Sequence, residues 1–254
     1  YTTHADIKKY NRLGENTLLN AEAISAAAAL HGMKYPLKEI ETAWQDTCFN
    51  QFHDIFDGTA IHSSYQQYSN VIAEKALNIA DKAITDAGKY LSTRVKFGPA
   101  KKGTVPVLVF NALSWERNSV IEIELAQLNK YGITSVQVTD STGKPVATQV
   151  NGTRVMFLAA GIPAIGYTTY YLSQSPAVAA GTDESPKNIN TCFETDGYSL
   201  QFDGGTGGIC RLFDKKSCRE LMNGFDLGNI FKLYHEVPHG MSAWDIGRVD
   251  AVKN

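Results

Sequence analysis

The sequence predicts an antiparallel three-helix bundle followed by an antiparallel β-sandwich, within a single chain of 254 residues. Three observations carry this prediction. Up to residue 96, apolar residues recur at steps of three and four, the period of amphipathic helices. The stretch Phe97 to Thr104 then breaks the pattern with glycine, proline and lysine and has no period of its own. Beyond it, short β-rich runs alternate with period two and are separated by turn residues. The expected domains are a bundle over 1–96, a linker over 97–104 and a sandwich over 105–254, the last incomplete.

Thr3 or Asp6 can cap the first helix, which runs to about Leu30 and stops at Gly32. Its inward face is Ile7, Tyr10, Leu13, Thr17, Ala21, Ile24 and Ala28. A second helix is expected from Pro36, a residue suited to the first helical position, to about Phe56. Leu37, Ile40, Trp44, Cys48, Phe52 and Ile55 form its apolar stripe, and Gly58 ends it. The third helix runs from about Ala60 to Thr93, with Ile61, Tyr65, Tyr68, Ile72, Ala76, Ile79 and Ala83 facing inward. Short loops between three such helices make an antiparallel bundle.

Strands are expected at Val105–Phe110, Val120–Leu125, Ser135–Thr139, Val146–Val150, Arg154–Ala159 and Tyr167–Leu172. Asn151-Gly152 is a hairpin signal between the fourth and fifth of these. It also fits a glycosylation acceptor with Thr153, which the hairpin explains better. Ser175 to Asn188 reads as a surface loop. A second β region follows at Thr191–Glu194, Tyr198–Phe202, Ile209–Phe213 and Ile230–Val237. The run Gly204-Gly205-Thr206-Gly207-Gly208 lacks a following lysine and helix, so it reads as a turn and not as a phosphate loop.

Composition excludes some function classes. Hydrophobic residues make up 43% and charged residues 20%, a globular balance able to bury a core. The net charge of −2 provides no basic field for nucleic acid or anionic membrane, and no apolar run spans a bilayer. Cys48, Cys192, Cys210 and Cys218 lack C-x-x-C spacing, which argues against a structural zinc site. A hairpin could bring Cys210 and Cys218 together, but spacing alone proves no bridge.

One stretch stands out: Gln51-Phe52-His53-Asp54-Ile55-Phe56-Asp57-Gly58-Thr59, where polar residues interrupt an amphipathic pattern before a glycine. His53 lies off the apolar stripe. A histidine beside an aspartate can be a metal ligand, a general acid or base, or a plain surface group, and by itself the surface group is the default.

The segment Asn50 to Thr59 resembles the Q-[FH]-H-D-x-[ILF]-x-G-T signature of the α-mannosidases of glycoside hydrolase family 38. The opening Tyr1 to Arg12 resembles the entry to that family's three-helix middle domain. Val109-Phe110-Asn111-Ala112-Leu113-Ser114-Trp115-Glu116-Arg117 resembles the FNPLSWxR opening of its β domain. Tyr234 to Ile246 resembles its D-x-P-x-x-x-D-A-W-D-I stretch. The departures are Phe52, where many members carry a second histidine, and Phe56-Asp57 before Gly58-Thr59; neither removes a ligand.

The resemblance implies a retaining, metal-dependent α-mannosidase acting on terminal α-mannosides. It implies that His53 is one of four protein ligands to a divalent metal, most often zinc, and that Asp54 contacts the hydroxyls of the bound mannose. It also implies that the nucleophile, the acid/base and the other three ligands lie on an N-terminal catalytic domain absent from these residues. The chain would then supply a wall of the site and be inactive alone, with the catalytic domain as its partner.

A second reading is a non-catalytic carbohydrate-binding or scaffold module on the β-sandwich, with Trp115 and Trp244 as candidate contacts. A third is a separate metallohydrolase using His53 with His235 and His239; a loop packed by Trp244 explains the last two better.

Overall fold

The computed structural model describes residues 4–97, 103–175, 192–222, 226–240 and 245–253. Thr3 as a cap, residues 98–102 of the linker, nearly all of the Ser175–Asn188 loop, and Trp244 fall outside the described residues. The chain divides into two compact units, Tyr1–Thr182 and Asp183–Asn254.

The first unit begins with helix α1 (Ala5–Leu30), capped at His4 without a side-chain bond, so Asp6 sits in the first turn instead of capping it. Gly32 closes the helix at φ 98°. Helix α2 is Leu37–Phe49, α3 a single turn at His53–Phe56, and α4 a turn at His62–Ser64. A π-helical turn at Tyr65–Ser69 leads into α5, Asn70–Ser92. Side-chain bonds fix the directions. Asp6 pairs with Asn70, and Tyr90 donates to the His31 carbonyl, so α1 and α5 run parallel. Trp44 donates to Glu22 and Lys75 to Asp46, so α2 runs against both. The result is an up-down-up bundle whose seam is Leu18, Ala21, Ile40, Ala43, Ala76, Ala80 and Ala83.

Two expectations are corrected here. The second helix does not reach Phe56. It breaks after Phe49 because side chains draw the backbone elsewhere. Asn50 Nδ2 donates to the Ser69 carbonyl at 2.8 Å, and Gln51 Nε2 reaches Asn11 and Glu15 on α1. Phe52 is then extended at ψ 137°, and the end of the predicted stripe leaves the core. Leu37, Cys48 and Phe52 are exposed, whereas Ile40, Ala43 and Thr47 are buried. The third helix is interrupted as well. A π turn holds one residue more than an α turn. Tyr65, Ala76 and Ala83 are buried as expected, while Ser69, Ala73 and Ala80 are buried in place of Tyr68, Ile72 and Ile79, and Ala87 continues the face. Tyr68 and Ile61 are left exposed.

The same unit continues into two facing sheets. One has strand order β1 (Thr104–Asn111), β7 (Gly166–Gln174), β3 (Val136–Thr139), β4 (Pro145–Val146). The other has β2 (Arg117–Glu124), β6 (Arg154–Ile162), β5 (Thr148–Asn151). All pairings are antiparallel. The expected hairpin joins β5 to β6 with Asn151 opposite Arg154, so Gly152 and Thr153 form its loop. Val109, Val138, Tyr170 and Leu172 of the first sheet meet Val155, Phe157 and Ala159 of the second in one core. Buried Asn111 ties the loop after β1 to the β6–β7 hairpin. Its Nδ2 donates to the carbonyls of Trp115, Ile162 and Pro163, and its Oδ1 accepts from the Leu113 N–H.

The second unit has a four-stranded antiparallel sheet, ordered β11 (Arg219–Glu220), β10 (Ile209–Asp214), β9 (Tyr198–Phe202), β8 (Cys192–Glu194). A two-stranded ribbon pairs β12 (Leu233–Glu236) with β13 (Val249–Lys253). The glycine-rich run is the β9–β10 turn, organised by the Asp203 carboxylate accepting from Gly205 and Thr206. Cys210 and Cys218 are free thiols, as is Cys48.

Candidate functional site

His53 opens the single-turn helix α3 and Asp54 follows it. Both side chains point to solvent, 78% and 56% exposed, with His53 Nε2 3.5 Å from Asp54 Oδ1. The Phe52 ring lies against the imidazole, centroids 4.3 Å apart, and limits its swing.

A helix of four residues has no stability of its own, because nucleation costs more than one turn returns. Side chains from other segments hold α3. Tyr65, fully buried at the start of the π turn, places its hydroxyl 3.2 Å from the Asp54 carbonyl and 3.3 Å from the Ile55 carbonyl. The same oxygen accepts the Ala60 N–H at 2.9 Å. Lys8 Nζ donates to the Phe56 carbonyl at 3.0 Å. His4 stacks on the Tyr65 ring at 3.8 Å. Burial pushes the Tyr65 phenol above its ordinary value, so it stays a neutral donor. The loop closes with Asp57 accepting from the Thr59 hydroxyl and N–H at 2.6 and 3.1 Å. Those bonds hold the Asp57 carboxyl below the usual carboxylate range. Gly58 makes the turn at φ 88°.

Exposed apolar residues occur on the same stretch and on the segment after it: Phe49 is 68% and Phe52 55% exposed, with Ile61 and Tyr68 also at the surface, and of these Phe52 touches His53. Cys48, Phe49, Phe52, Ile55 and Tyr68 line one shallow hollow of about 730 Å³. Sequence reasoning placed Phe52 and Tyr68 in the core and did not foresee the part of Tyr65 in holding α3. The available signal was that tyrosine's place at the start of an inward-facing run.

The histidines of the second unit do not gather. His235 Nδ1 pairs with Asp250 across the ribbon at 2.5 Å, while His239 Nε2 turns to Glu236 at 2.8 Å. Glu236 is held below its ordinary value, first by the Gly247 N–H and then by His239. Among the described residues no three His, Cys, Asp or Glu side chains form a metal cluster. Another cavity of the first unit, about 410 Å³ and lined by Ala27, His31, Arg94, Phe110, Ile165 and Tyr167, holds none of the predicted site residues. No helix among the described residues is long and apolar enough to cross a membrane.

Residues 1–91 match the family model described as the α-mannosidase middle domain. Alpha-mannosidase 2C1 of Mus musculus is 27% identical over 97% of this chain, and the Homo sapiens protein of that name is likewise 27% identical. The chain spans 21% of the length of each. The lysosomal alpha-mannosidase of Dictyostelium discoideum is 38% identical over 144 residues, covering 47% of this chain and 14% of that protein. Among solved structures, a protein in glycosyl hydrolase family 38 from Enterococcus faecalis superposes with a TM-score of 0.68 over 85% of this chain and 30% of its own. An α-mannosidase from Enterococcus faecalis V583 does so with the same score over 28% of its own length. Both are 17% identical to this chain and show a shared fold.

Proposed function

Since this chain carries a family 38 α-mannosidase middle domain with a β region behind it, we propose that it is one part of a retaining, metal-dependent α-mannosidase acting on terminal α-mannosides. In this reading residues 1–96 present His53 as a metal ligand and Asp54 as a sugar contact. The segment 97–104 connects them to the β region over 105–254. The nucleophile and the acid/base belong to a separate catalytic domain, where two carboxylates about 5 Å apart would suit a retaining mechanism.

The carrying observation is the exposed His53-Asp54 pair on a turn held from below, with the exposed Phe52 against the imidazole. Apolar residues gathered at one surface are the mark of a docking face. The donor set fits a metal only as a contributed ligand. One imidazole stands clear of the fold, and among the described residues no cluster of three donors occurs, so this reading assigns the remaining ligands to the partner domain. A divalent ion there, zinc before others, supplies a Lewis acid that orients adjacent sugar hydroxyls. Asp54, an acceptor-only carboxylate, takes hydrogen bonds from hydroxyls of the sugar beside His53. The Phe52 ring packs against one side of the imidazole.

The test is zinc affinity by calorimetry for this chain, for the catalytic domain and for the two together, each with wild-type and His53→Ala chain. Tight binding that needs both parts and fails in the variant supports the reading. Tight binding by this chain alone, indifferent to His53, overturns it. A non-catalytic carbohydrate-binding module is the second reading, favoured by Trp115, 59% exposed on the loop that Asn111 pins. Metal-independent binding of mannose oligosaccharides by this chain, lost in Trp115→Ala, would select it.

A further inference from the structure

We infer that Tyr65 is a positioning residue that aims His53 and Asp54, acting through the backbone of α3 without touching substrate or metal. The inference rests on the proposed roles of His53 and Asp54 and adds the residue that sets their direction.

A helix end leaves its last carbonyls without intrahelical partners. In α3 these are the carbonyls of Asp54, Ile55 and Phe56, which follow directly on His53; that of Ile55 also accepts the Gly58 N–H at 3.1 Å. The Tyr65 hydroxyl lies against the first two and Lys8 caps the third. The Ala60 N–H enters the same oxygen from the far side of the loop, so a single hydroxyl ties both ends of the 54–60 segment. That hydroxyl is itself immobile. The ring is fully buried, stacked on His4, and set in a π-helical turn whose Ser69 carbonyl is bonded by Asn50. Turns of this kind recur at functional sites, where the added residue re-aims a side chain. Here it places Tyr65 beneath the one-turn helix that carries the pair.

Tyr65→Phe keeps the ring and its packing and removes only the hydroxyl. In this chain alone and without metal, amide hydrogen exchange at Ala60 is expected to accelerate in the variant, with the far-UV spectrum of the bundle unchanged. In the chain joined to its catalytic domain, zinc affinity measured by chelator competition is expected to fall about 10–100-fold, the usual effect of losing a group that orients a ligand. Lys8→Met, which removes the donor to the Phe56 carbonyl together with the cation over the Phe56 ring, is expected to act in the same direction and serves if Tyr65→Phe does not fold. If His53→Ala abolishes zinc binding while Tyr65→Phe and Lys8→Met leave it unchanged, Tyr65 has no positioning role and the proposed function stands. If His53→Ala leaves zinc binding intact, the proposed role of His53 fails and this inference fails with it. Unchanged Ala60 exchange in Tyr65→Phe overturns the inference whatever the metal does.

Discussion

Asn50, just past the end of α2, donates its side-chain amide to the carbonyl of Ser69 inside the π-helical turn at 2.8 Å. Both residues are buried. One bond thus joins the point where one helix breaks to the point where another is underwound. Asn50→Ala is expected to lower the stability of the chain by about 1–3 kcal/mol, the cost of stranding a buried polar group. Urea denaturation should show a lower midpoint at unchanged slope. A midpoint at the wild-type value would mean that the bond does not hold the break in place.

Gly14 lies on the buried face of α1 where α2 crosses it. A Cβ built there would sit 3.3 Å from both Cγ2 and Oγ1 of Thr47. Glycine within a helix usually costs about 0.5–1 kcal/mol relative to alanine, so its presence here reflects the close approach of the two helices. Gly14→Leu is expected to destabilise by about 1–3 kcal/mol through overpacking. Thr47→Ala in the same chain should recover part of that loss, read as a non-additive double-mutant cycle.

The Asp57 carboxyl is held low chiefly by the Thr59 hydroxyl, with the Thr59 N–H adding to it. A depressed carboxylate contributes stability above its unfolded pKa and loses it as pH falls through the folded one. The 57–59 turn should therefore loosen only below the ordinary carboxylate range. Thr59→Ala is expected to move the Asp57 titration upward, measurable by carboxyl-carbon NMR, and to bring the loosening to higher pH. An unmoved titration would assign the shift to something other than the hydroxyl.

Phe49 and Phe52 are exposed, so Phe49→Ser and Phe52→Ser are expected to change the chain's own stability by no more than about 0.5 kcal/mol. At a docking face the same changes should weaken association with the catalytic domain by more than about 1 kcal/mol each. Calorimetric titration of the two parts distinguishes the outcomes. Affinity equal to wild type would remove these two phenylalanines from the interface.

Much of this architecture was readable in the residues. The end of α1 at Leu30 followed from Gly32, and β1, β2, β6 and β7 lie where period-two patterning put them. What escaped depends on partners distant in sequence. The break after Phe49 is made by Ser69, Asn11 and Glu15, none of which a local window around Asn50 contains. The π turn escaped because one added residue leaves each half of the helix with a regular pattern. Phe52 looked like core because the apolar stripe continues in sequence past the point where the backbone leaves the helix. His53 and Asp54 were visible as residue types, but their shared support by Tyr65 was not, since a hydroxyl that bonds backbone carbonyls leaves no motif.

The alanine seam of the bundle has a mechanical consequence. Ala21, Ala43, Ala76, Ala80 and Ala83 have no side-chain torsions that could yield when a neighbour moves. At these positions a displaced helix finds no side chain that can rotate out of its way, Leu18 and Ile40 being the seam members that can. A push on the end that holds His53 would therefore reach the opposite end, where Tyr90 meets His31, as motion of a stiff rod about 39 Å long, taking 26 residues of α1 at the usual helical rise.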